Sequence, residues 1–335
     1  MVKYGLCCIS NVLTEQRKLK FSIMRYNQYC KLGHDAALPI IAERTENNLL
    51  VTEQIIKLCA SKGWTYRVSS CLFPLLTYKH AKFEYHDMPN WVKLDEIFLR
   101  IANFVCDNNV RISCHPDQFN VLASNNPDVV DRTVIELEHH GWMMDKLGGD
   151  RSHNTPINIH PATSKGDPAD ISKRFYEAFQ RCSPRVQSRL VVENEDKGFW
   201  SVTNILLFNQ VMNDKYDLNI PVCYDNLHDL CNPSGMQVYA DKYTAIQDNA
   251  KLCQATWPDG ITPVFHWSEG KEANQRAHED YFSKDNYPVD IGDVIWECEV
   301  KAKDKAIERL LVDVSWIELV KKDLTSSKKT SCLEV

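Results

Sequence analysis

Residues 110–116 read Val-Arg-Ile-Ser-Cys-His-Pro, residues 156–161 read Pro-Ile-Asn-Ile-His-Pro, and residues 190–194 read Leu-Val-Val-Glu-Asn. In each stretch a short run rich in β-branched residues ends in a side chain that can bind a proton or a metal ion. Short apolar runs of this kind are typical of buried strands. The same pattern recurs along the chain and predicts eight strands: Lys3–Ile9, Thr65–Ser69, Val110–His115, Pro156–His160, Leu190–Glu193, Ile220–Asp225, Thr262–His266 and Asp293–Glu297.

Longer segments with helical periodicity follow these strands. They are Thr45–Lys62, Val92–Asn108, Pro127–Leu147, Pro168–Arg181, Val202–Met212, Gln237–Cys253 and Lys301–Leu319. Alternating strands and helices are typical of a parallel sheet, and eight such units in roughly 300 residues predict an α/β fold of the (β/α)8 TIM-barrel type. We expect one domain over residues 1–322 and a disordered polar tail over 323–335. The main alternative is a doubly wound open sheet, but no G-x-G-x-x-G motif follows the first strand.

The composition is that of an ordinary globular protein. The chain has 335 residues, of which 44% are hydrophobic and 25% charged, and no apolar stretch is long enough to span a membrane. Its 13 cysteines are odd in number and scattered, without a C-x-x-C pair, which favours an intracellular, reducing compartment. The formal charge of −6 argues against a general basic coat but allows a local basic groove. We expect a monomer.

Six consecutive predicted strands end in a His, Glu or Asp. In a barrel the carboxyl ends of all strands surround one mouth, so these side chains should converge. Carboxylates gathered in one pocket repel one another unless protons or cations neutralise them, and mixed imidazole and carboxylate ligands suit Mn²⁺, Zn²⁺ and Fe²⁺. One strand-end His or acid usually has a structural role, but six in succession predict two or three divalent ions. The expected ligands are His115, His160, Glu193, Asp225, His228, His266 and Glu297, with His278 as a further candidate.

Several cations in one pocket are suited to phosphodiester hydrolysis, and also to the isomerisation of a sugar. Two features near the predicted mouth favour nucleic acid. Gln118 and Phe119 follow His115, so that an amide and an aromatic ring could probe a duplex. Lys301 is a candidate phosphate clamp, and other basic residues are expected nearby: Lys165, Lys197, Lys271, Arg276 and Lys303. His139 and His140, in a helical segment, are expected at the surface.

With these residues in view, the chain resembles the UV damage endonuclease family, which shares its barrel with endonuclease IV-type enzymes and xylose isomerase. The resemblance spans about Lys3 to Lys305. It rests on five motifs in order: Tyr-Arg67-Val-Ser-Ser-Cys-Leu-Phe-Pro, Ser-Cys-His115-Pro-Asp-Gln118-Phe119, Val-Val-Glu193-Asn194-Glu-Asp, Asp225-Asn-Leu-His228 and Asp-Val-Ile-Trp-Glu297-x-x-x-Lys.

The resemblance implies an endonuclease that cuts DNA immediately 5′ to a UV photoproduct, leaving a 3′-hydroxyl and a 5′-phosphate. It implies two or three divalent ions, Mn²⁺ ahead of Zn²⁺ and Mg²⁺, and damaged double-stranded DNA as the partner. Glu193, Glu297 and Lys301 are the expected catalytic residues. Gln118, Phe119, Arg67 and Asn194 are expected to contact the DNA or the lesion, with Phe119 where the family usually has Tyr.

Other functions fit the same barrel. An abasic-site endonuclease and a metal-dependent sugar isomerase would use a similar set of ligands. A protein that recognises damaged DNA without cutting it is a third alternative, although pure recognition would not require so complete a ligand set.

Overall fold

Eight parallel strands form a nearly closed barrel, as the sequence predicts. The structure, a computed structural model, describes residues 3–163, 167–234 and 242–314. In chain order the strands of these residues are β1 (Lys3–Cys7), β2 (Thr65–Val68), β3 (Ile112–Cys114), β4 (Ile157–Ile159), β5 (Leu190–Glu193), β6 (Val222–Cys223), β7 (Val264–Trp267), β8 (Gly270–Lys271), β9 (Asn274–His278) and β10 (Ile295–Cys298).

The strand order explains how the barrel closes. The sheet runs β6-β5-β4-β3-β2-β1-β10-β7, and every pairing within it is parallel. A parallel bridge between Asp225 and His266 joins its two ends, supported by a 2.8 Å hydrogen bond from the His266 N–H to the Tyr224 carbonyl. The short strands β8 and β9 form a separate antiparallel hairpin after β7.

Helices surround the barrel. They are α1 (Asn11–Arg17), α2 (Tyr26–Leu32), α3 (His34–Lys62), α4 (Trp91–Asp107), α5 (Pro127–Lys146), α6 (Pro168–Phe179), α7 (Pro184–Gln187), α8 (Val202–Tyr216), α9 (Asn226–Cys231) and α10 (Lys242–Gln254). Residues 304–314 are also helical. Helices α5 and α6 begin with a proline, and the side chains of Asn126 and Asp167 accept hydrogen bonds from backbone N–H groups of their first turns.

Large aromatic side chains fill the space between the barrel strands and the surrounding helices. Trp267, Trp296, Tyr66, Tyr224 and Phe265 are all fully buried. Because side chains alternate between the two faces of a strand, each of them faces away from a neighbour, such as His266 or Glu297, that points into the barrel. Inside the barrel, Ser113 and Asn158 donate hydrogen bonds to Glu297 and Glu193.

Gly5 allows close packing at the centre of β1. A Cβ atom added there would lie 2.6 Å from the Thr65 Oγ1 atom and 2.8 Å from the Glu297 Cγ atom. Both distances are shorter than any ordinary contact, so a larger residue would push β1 away from β2 and β10. The glycine thus leaves room for the Glu297 side chain inside the barrel.

Asp304 ties the beginning of the described chain to its last helical segment. Its carboxylate accepts hydrogen bonds from the Ser10 hydroxyl and from the backbone N–H of Asn11, the latter at 3.0 Å. These contacts satisfy donors at the start of α1, which have no partners within the helix. The first and last β-α units are thereby fastened to each other.

The structure corrects several local predictions. Helix α3 begins at His34 and not at Thr45, and it continues through Pro39. The short helices α1, α2, α7 and α9 and the β8–β9 hairpin were not predicted, because elements of two to seven residues carry little periodicity. The surface position predicted for His140 is wrong: α5 turns this residue fully inward.

Two predicted helices lie partly outside the described residues, and the predicted polar tail at 323–335 lies wholly outside them. The helices are affected at the beginning of Gln237–Cys253 and at the end of Lys301–Leu319. Lys165, one of the basic residues expected near the mouth, lies outside the described residues as well. Among the helices that are described, none combines the length and apolar character needed to cross a bilayer.

Candidate metal centre

Six of the predicted ligands converge at the mouth of the barrel. Within the described residues there are three groups of side chains, and in each group the ligand atoms all lie within 4.8 Å of one another. The first two groups share Glu193, and the first and third share His266. The groups are His115, Glu193 and His266; His160, Glu193 and His228; and Asp225, His266 and Glu299.

Glu193, the last residue of β5, is the centre of this arrangement. Its Oε2 atom lies 3.0 Å from the Nε2 atom of His115 and accepts a hydrogen bond from the amide of Asn158. Its Oε1 atom lies 3.1 Å from the Nδ1 atoms of both His228 and His266. Because its two oxygens face imidazoles from different parts of the barrel, this carboxylate could contribute to two neighbouring metal sites.

Backbone carbonyls orient two of the imidazoles. The Nδ1 atom of His115 lies 3.0 Å from the Pro116 carbonyl, and that of His228 lies 2.8 Å from the Asn194 carbonyl. A carbonyl can only accept a hydrogen bond, so each ring carries its proton on Nδ1 and leaves Nε2 able to bind a metal ion. Metal-binding histidines in proteins are commonly oriented in this way.

The third group contains an acid that the sequence analysis did not identify. Glu299 lies just beyond β10, with its Oε1 atom 3.6 Å from the Nδ1 atom of His266. Its position two residues after Glu297 could have identified it, because side chains two residues apart along an extended chain point to the same side. Glu297 is not in any of the three groups.

Arg67 contacts two acids, Glu297 on β10 and Glu299 just beyond the end of this strand. Its guanidinium donates a hydrogen bond to Glu299 and lies 3.7 Å from the Oε2 atom of Glu297 and 3.2 Å from the Nε2 atom of His266. Glu297 also accepts a hydrogen bond from the Ser113 hydroxyl. Arg67 is buried and its guanidinium contacts the acids of the site, and the DNA contact predicted for it stays a prediction.

Asn194 is also buried beneath the site. Its side-chain oxygen accepts a hydrogen bond from the Asp225 N–H at 2.8 Å, and its side-chain nitrogen donates to the Asp225 carbonyl at 3.0 Å. It therefore joins β5 to the end of β6 and fixes the position of Asp225. Its side chain does not reach the surface, and the DNA contact predicted for Asn194 stays a prediction.

The ionisation of these groups depends on their neighbours. Burial opposes the charge on Glu193, yet the imidazoles of His266 and His160 lower the pKa of this carboxyl well below its usual range. Burial lowers the pKa of His160 to about 4, so its ring is a neutral ligand at pH 7. Burial also raises the pKa of Asp225.

The side chains fit divalent cations. Four buried or nearly buried carboxylates, Glu193, Asp225, Glu297 and Glu299, share this cluster with one guanidinium, that of Arg67, which contacts only Glu297 and Glu299. The remaining negative charge requires protons on the imidazoles or bound cations. The Oδ2 atom of Asp225 is buried without a hydrogen-bond partner among the described residues. An unpaired buried carboxylate oxygen is costly unless a cation neutralises it. The mixed nitrogen and oxygen donors match those that bind first-row divalent metals.

Two other predicted site residues lie at the edge of this cluster. His278, on β9, has its Nδ1 atom against the Glu299 carbonyl and its Nε2 atom 3.9 Å from the Glu299 carboxylate. It lies beside the third group but is not part of it. Lys301 is exposed, and its backbone N–H donates to the Glu279 carbonyl of the loop that follows β9.

Gln118 and Phe119 project from the loop after β3. Phe119 is 75% exposed, so it does not pack beneath its own loop. Asp117 shapes the turn: its carboxylate accepts a hydrogen bond from the Phe119 N–H at 3.0 Å, and its carbonyl accepts one from the Asn120 N–H at 3.0 Å. An ordered turn thus presents an aromatic ring to solvent at the rim of the metal centre.

Comparisons with known proteins give a consistent result. The family model described as UV-endonuclease UvdE matches residues 2–328. A protein named UV DNA damage endonuclease from Bacillus pumilus (strain SAFR-032) is 24% identical over 327 residues, which cover 94% of this chain and 95% of the relative. A protein of the same name from Nostoc sp. (strain PCC 7120) is 27% identical, with 91% of this chain and 88% of the relative covered.

Solved structures share the architecture. The crystal structure of SacUVDE superposes with a TM-score of 0.76 and 25% identity, covering 95% of this chain and 99% of the other. Endonuclease IV from Thermus thermophilus gives a TM-score of 0.53 at 14% identity, covering 95% and 98%, which supports the fold alone.

Proposed function

The chain belongs to the UV-endonuclease UvdE family, and on this basis we propose that it is a DNA repair endonuclease that cuts the backbone immediately 5′ to UV photoproducts. The family match covers nearly the whole chain, and the relatives named UV DNA damage endonuclease are covered over most of their length. The abasic-site endonuclease, the sugar isomerase and the non-catalytic binding protein are less well supported, since no comparison favours them over this reading.

The observation that carries the proposal is the position of Glu193 between imidazoles just after β3, in the first turn of α9 and on β7. His115, His228 and His266 all approach its two carboxylate oxygens within 3.1 Å. A carboxylate surrounded in this way suits two neighbouring cations, and the third group around Asp225 and Glu299 can hold another. We therefore propose two or three divalent ions. Imidazole and carboxylate donors are compatible with several first-row metals, and Mn²⁺ is put first because the family resemblance implies it.

Divalent ions bound there would supply a nucleophile from water near neutral pH and would stabilise the negative charge on the departing 3′-oxygen. The protein would contribute position and electrostatics. Glu193 keeps three imidazoles in fixed orientations, and Arg67 holds Glu297 and Glu299 in place. Lys301, exposed at the start of the loop after β10, is suited to contact a phosphate of the scissile strand.

We propose that Gln118 and Phe119 probe the duplex at the lesion. A photoproduct weakens base stacking, so inserting an aromatic ring costs less there than in undamaged DNA. Phe119 offers such a ring from an ordered turn, without need to leave a packed position. The predicted partner is accordingly damaged double-stranded DNA, bound by a monomer. The predicted reducing compartment is supported by cysteines that are free thiols throughout the described residues.

The decisive experiment is a nicking assay in Mn²⁺ on three matched duplexes: one with a single pyrimidine dimer, one with an abasic site and one undamaged. We expect a cut immediately 5′ to the dimer, with a 3′-hydroxyl and a 5′-phosphate, mapped at nucleotide resolution. The variant Glu193→Gln should lose nicking by several orders of magnitude, because the imidazoles lose the charge that assembles them.

A double variant, Gln118→Ala with Phe119→Ala, tests lesion recognition separately from metal binding. It should keep its metal content, measured by mass spectrometry, while losing the preference for damaged over undamaged duplex. Nicking of dimer-containing DNA by Glu193→Gln at the wild-type rate, or wild-type cleavage of all three duplexes at equal rates, would contradict the proposal.

A further inference from the structure

Two loops at the mouth of the barrel carry a concentrated positive charge. Residues 16–33 comprise the end of α1, the segment that follows it and α2, and residues 69–83 lie between β2 and α4. Together they contain seven Lys and Arg residues and no Asp or Glu, in a chain whose formal charge is −6; the nearest acids in sequence are Glu15, Asp35 and Glu84. We call these two segments the β1–β2 loop surface. Its basic residues are Arg17, Lys18, Lys20, Arg25, Lys31, Lys79 and Lys82.

The two segments are fastened to each other. The side-chain nitrogen of Asn48, a buried residue of α3, donates to the Ser22 carbonyl at 2.9 Å and to the Cys71 and Leu72 carbonyls at 3.1 Å. A hydrogen bond from the Ser22 N–H to the Asn48 side-chain oxygen, at 2.7 Å, completes the link. One buried amide thus fixes both loops, so the cations on them form a single preorganised surface.

Aromatic rings add a second connection. The ring centroids of Tyr26 and Tyr78 lie 4.7 Å apart, and the ring centroid of His80 lies 5.4 Å from that of Tyr78. Tyr78 is 43% exposed, and the neighbouring Lys79 is exposed as well. The side chain of Lys79 therefore extends into solvent from a backbone segment that is held by packed aromatic rings.

The positive charge of this surface has no ion-pair partner in the part of the chain that the structure describes, where none of its seven cations contacts a carboxylate. Other basic residues nearby behave differently: Lys57 and Arg100 both contact Glu53, and Lys93 contacts Glu46. Unpaired cations fixed on an acidic protein point to an anionic partner, because the carboxylates within residues 3–163, 167–234 and 242–314 supply no counter-charge for them.

The position of the surface identifies that partner. Loops that follow β1 and β2 lie at the carboxyl ends of the strands, the same end of the barrel as the metal centre. Strand β2 pairs with β3, whose following loop carries Gln118 and Phe119. A duplex that places its lesion at these two residues would run over the neighbouring loops.

We infer that the β1–β2 loop surface binds the sugar-phosphate backbone of one arm of the duplex, independently of sequence and of damage. This inference rests on the proposed function and deepens it by assigning the arm contact to specific cations. Phosphate contacts of this kind position a duplex, and their free energy depends on salt because bound counterions are released.

The test compares two matched double variants of the full-length protein. Lys31→Ala with Lys79→Ala removes two exposed cations of the surface. Lys215→Ala with Lys251→Ala removes two exposed cations from the last turns of α8 and α10, at the opposite end of the barrel. Both variants lose the same net charge, so a general electrostatic effect would appear equally in both.

The readout is the affinity for an undamaged duplex, measured by fluorescence anisotropy over a series of salt concentrations. Loss of two phosphate contacts should reduce the slope of log Kobs against log salt by about two and weaken binding roughly tenfold near 0.1 M salt. The affinity of the variant for dimer-containing DNA should fall by the same factor as its affinity for the undamaged duplex. The control variant should match the wild type.

An unchanged slope in the Lys31 and Lys79 variant, or an equal loss in the control variant, would overturn the inference. Failure of the proposed function would look different. The wild-type protein would not nick dimer-containing DNA, whereas binding of undamaged duplex, which involves no cleavage, would still decide the role of this surface.

Discussion

Glu297 and Glu299 show how strongly the role of an acid depends on what its oxygens contact. Both are ionised in spite of burial, and both lie near Arg67, which together with His266 lowers the pKa of each carboxyl. Glu297 also accepts a hydrogen bond from Ser113, whereas Glu299 lies in the group with Asp225 and His266. The ligand role predicted for Glu297 from the sequence stays a prediction, but the geometry favours Glu299 as the metal ligand.

This difference gives a prediction with two isosteric variants. Glu299→Gln should lower the bound metal by about one ion per chain, because it removes one of only two carboxylates in the third group. Glu297→Gln should retain the metal and alter mainly the position of Arg67. Metal analysis after dialysis at pH 7.5 measures both, and equal losses in the two variants would show that this assignment of the acids is wrong.

At the scale of elements, ion pairs between helices hold the outer ring together. Glu53 of α3 is almost fully buried and accepts two hydrogen bonds from Arg100 of α4, at 2.9 and 2.7 Å, and one from Lys57 at 2.7 Å. Hydrogen bonds from Arg100 outweigh burial and lower the pKa of Glu53 to about 2. The contact therefore links α3 to α4 only while Glu53 is charged.

We predict that Glu53→Gln lowers the free energy of unfolding by about 1–2 kcal/mol at pH 7, less than the full pKa shift implies, because Arg100 and Lys57 are half exposed to water. A carboxyl whose pKa is lowered by folding stabilises the fold fully when the pH is above its pKa in the unfolded chain, about 4.5. The difference between the wild type and the variant should therefore disappear as the pH falls from about 4.5 towards 2.

Urea unfolding at a series of pH values measures this difference. Glu177→Gln is the control, because its contact with Lys173 is long, at 3.8 Å, and both side chains are more than 60% exposed. That variant should stay within about 0.5 kcal/mol of the wild type. A Glu53→Gln penalty that persists unchanged at pH 2 would contradict the electrostatic explanation.

At the scale of the whole molecule, the barrel gathers like charges that the chain keeps apart. Glu193, Asp225 and Glu299 are separated by 32 and 74 positions in sequence, yet their carboxylates belong to adjoining ligand groups. Repulsion between them opposes folding. Protons or cations must offset it, and the raised pKa values of His228 and His266 show that without metal the imidazoles take up protons for this purpose.

Divalent ions should accordingly stabilise the fold. A metal that binds only the folded state adds about 2.7 kcal/mol at a concentration of 100 times its Kd. We predict that a chelator lowers the thermal unfolding midpoint by a few degrees and that Mn²⁺ restores it, as measured by calorimetry. Glu193→Gln should lack this response. Identical midpoints of the wild-type protein in chelator and in Mn²⁺ would contradict a cation-linked fold.

The sequence by itself determined the barrel and most of the cluster. Strands such as Leu190–Glu193 are apolar runs that end in a charged residue, and this local pattern is visible without any tertiary contact. Because the carboxyl ends of parallel strands must meet at one mouth, the convergence of His115, Glu193 and His266 followed from the order of elements alone.

Only the tertiary structure decided which polar groups form the three candidate ligand groups and which support them. Asn194 directly follows Glu193 in sequence and Arg67 stands in a different motif, but both side chains point inward and donate hydrogen bonds to groups far away in sequence. Glu299 enters the cluster, and Glu297 is held by Ser113, 184 positions away. Such partners depend on side-chain direction and on contacts between strands far apart in sequence, which no local pattern encodes.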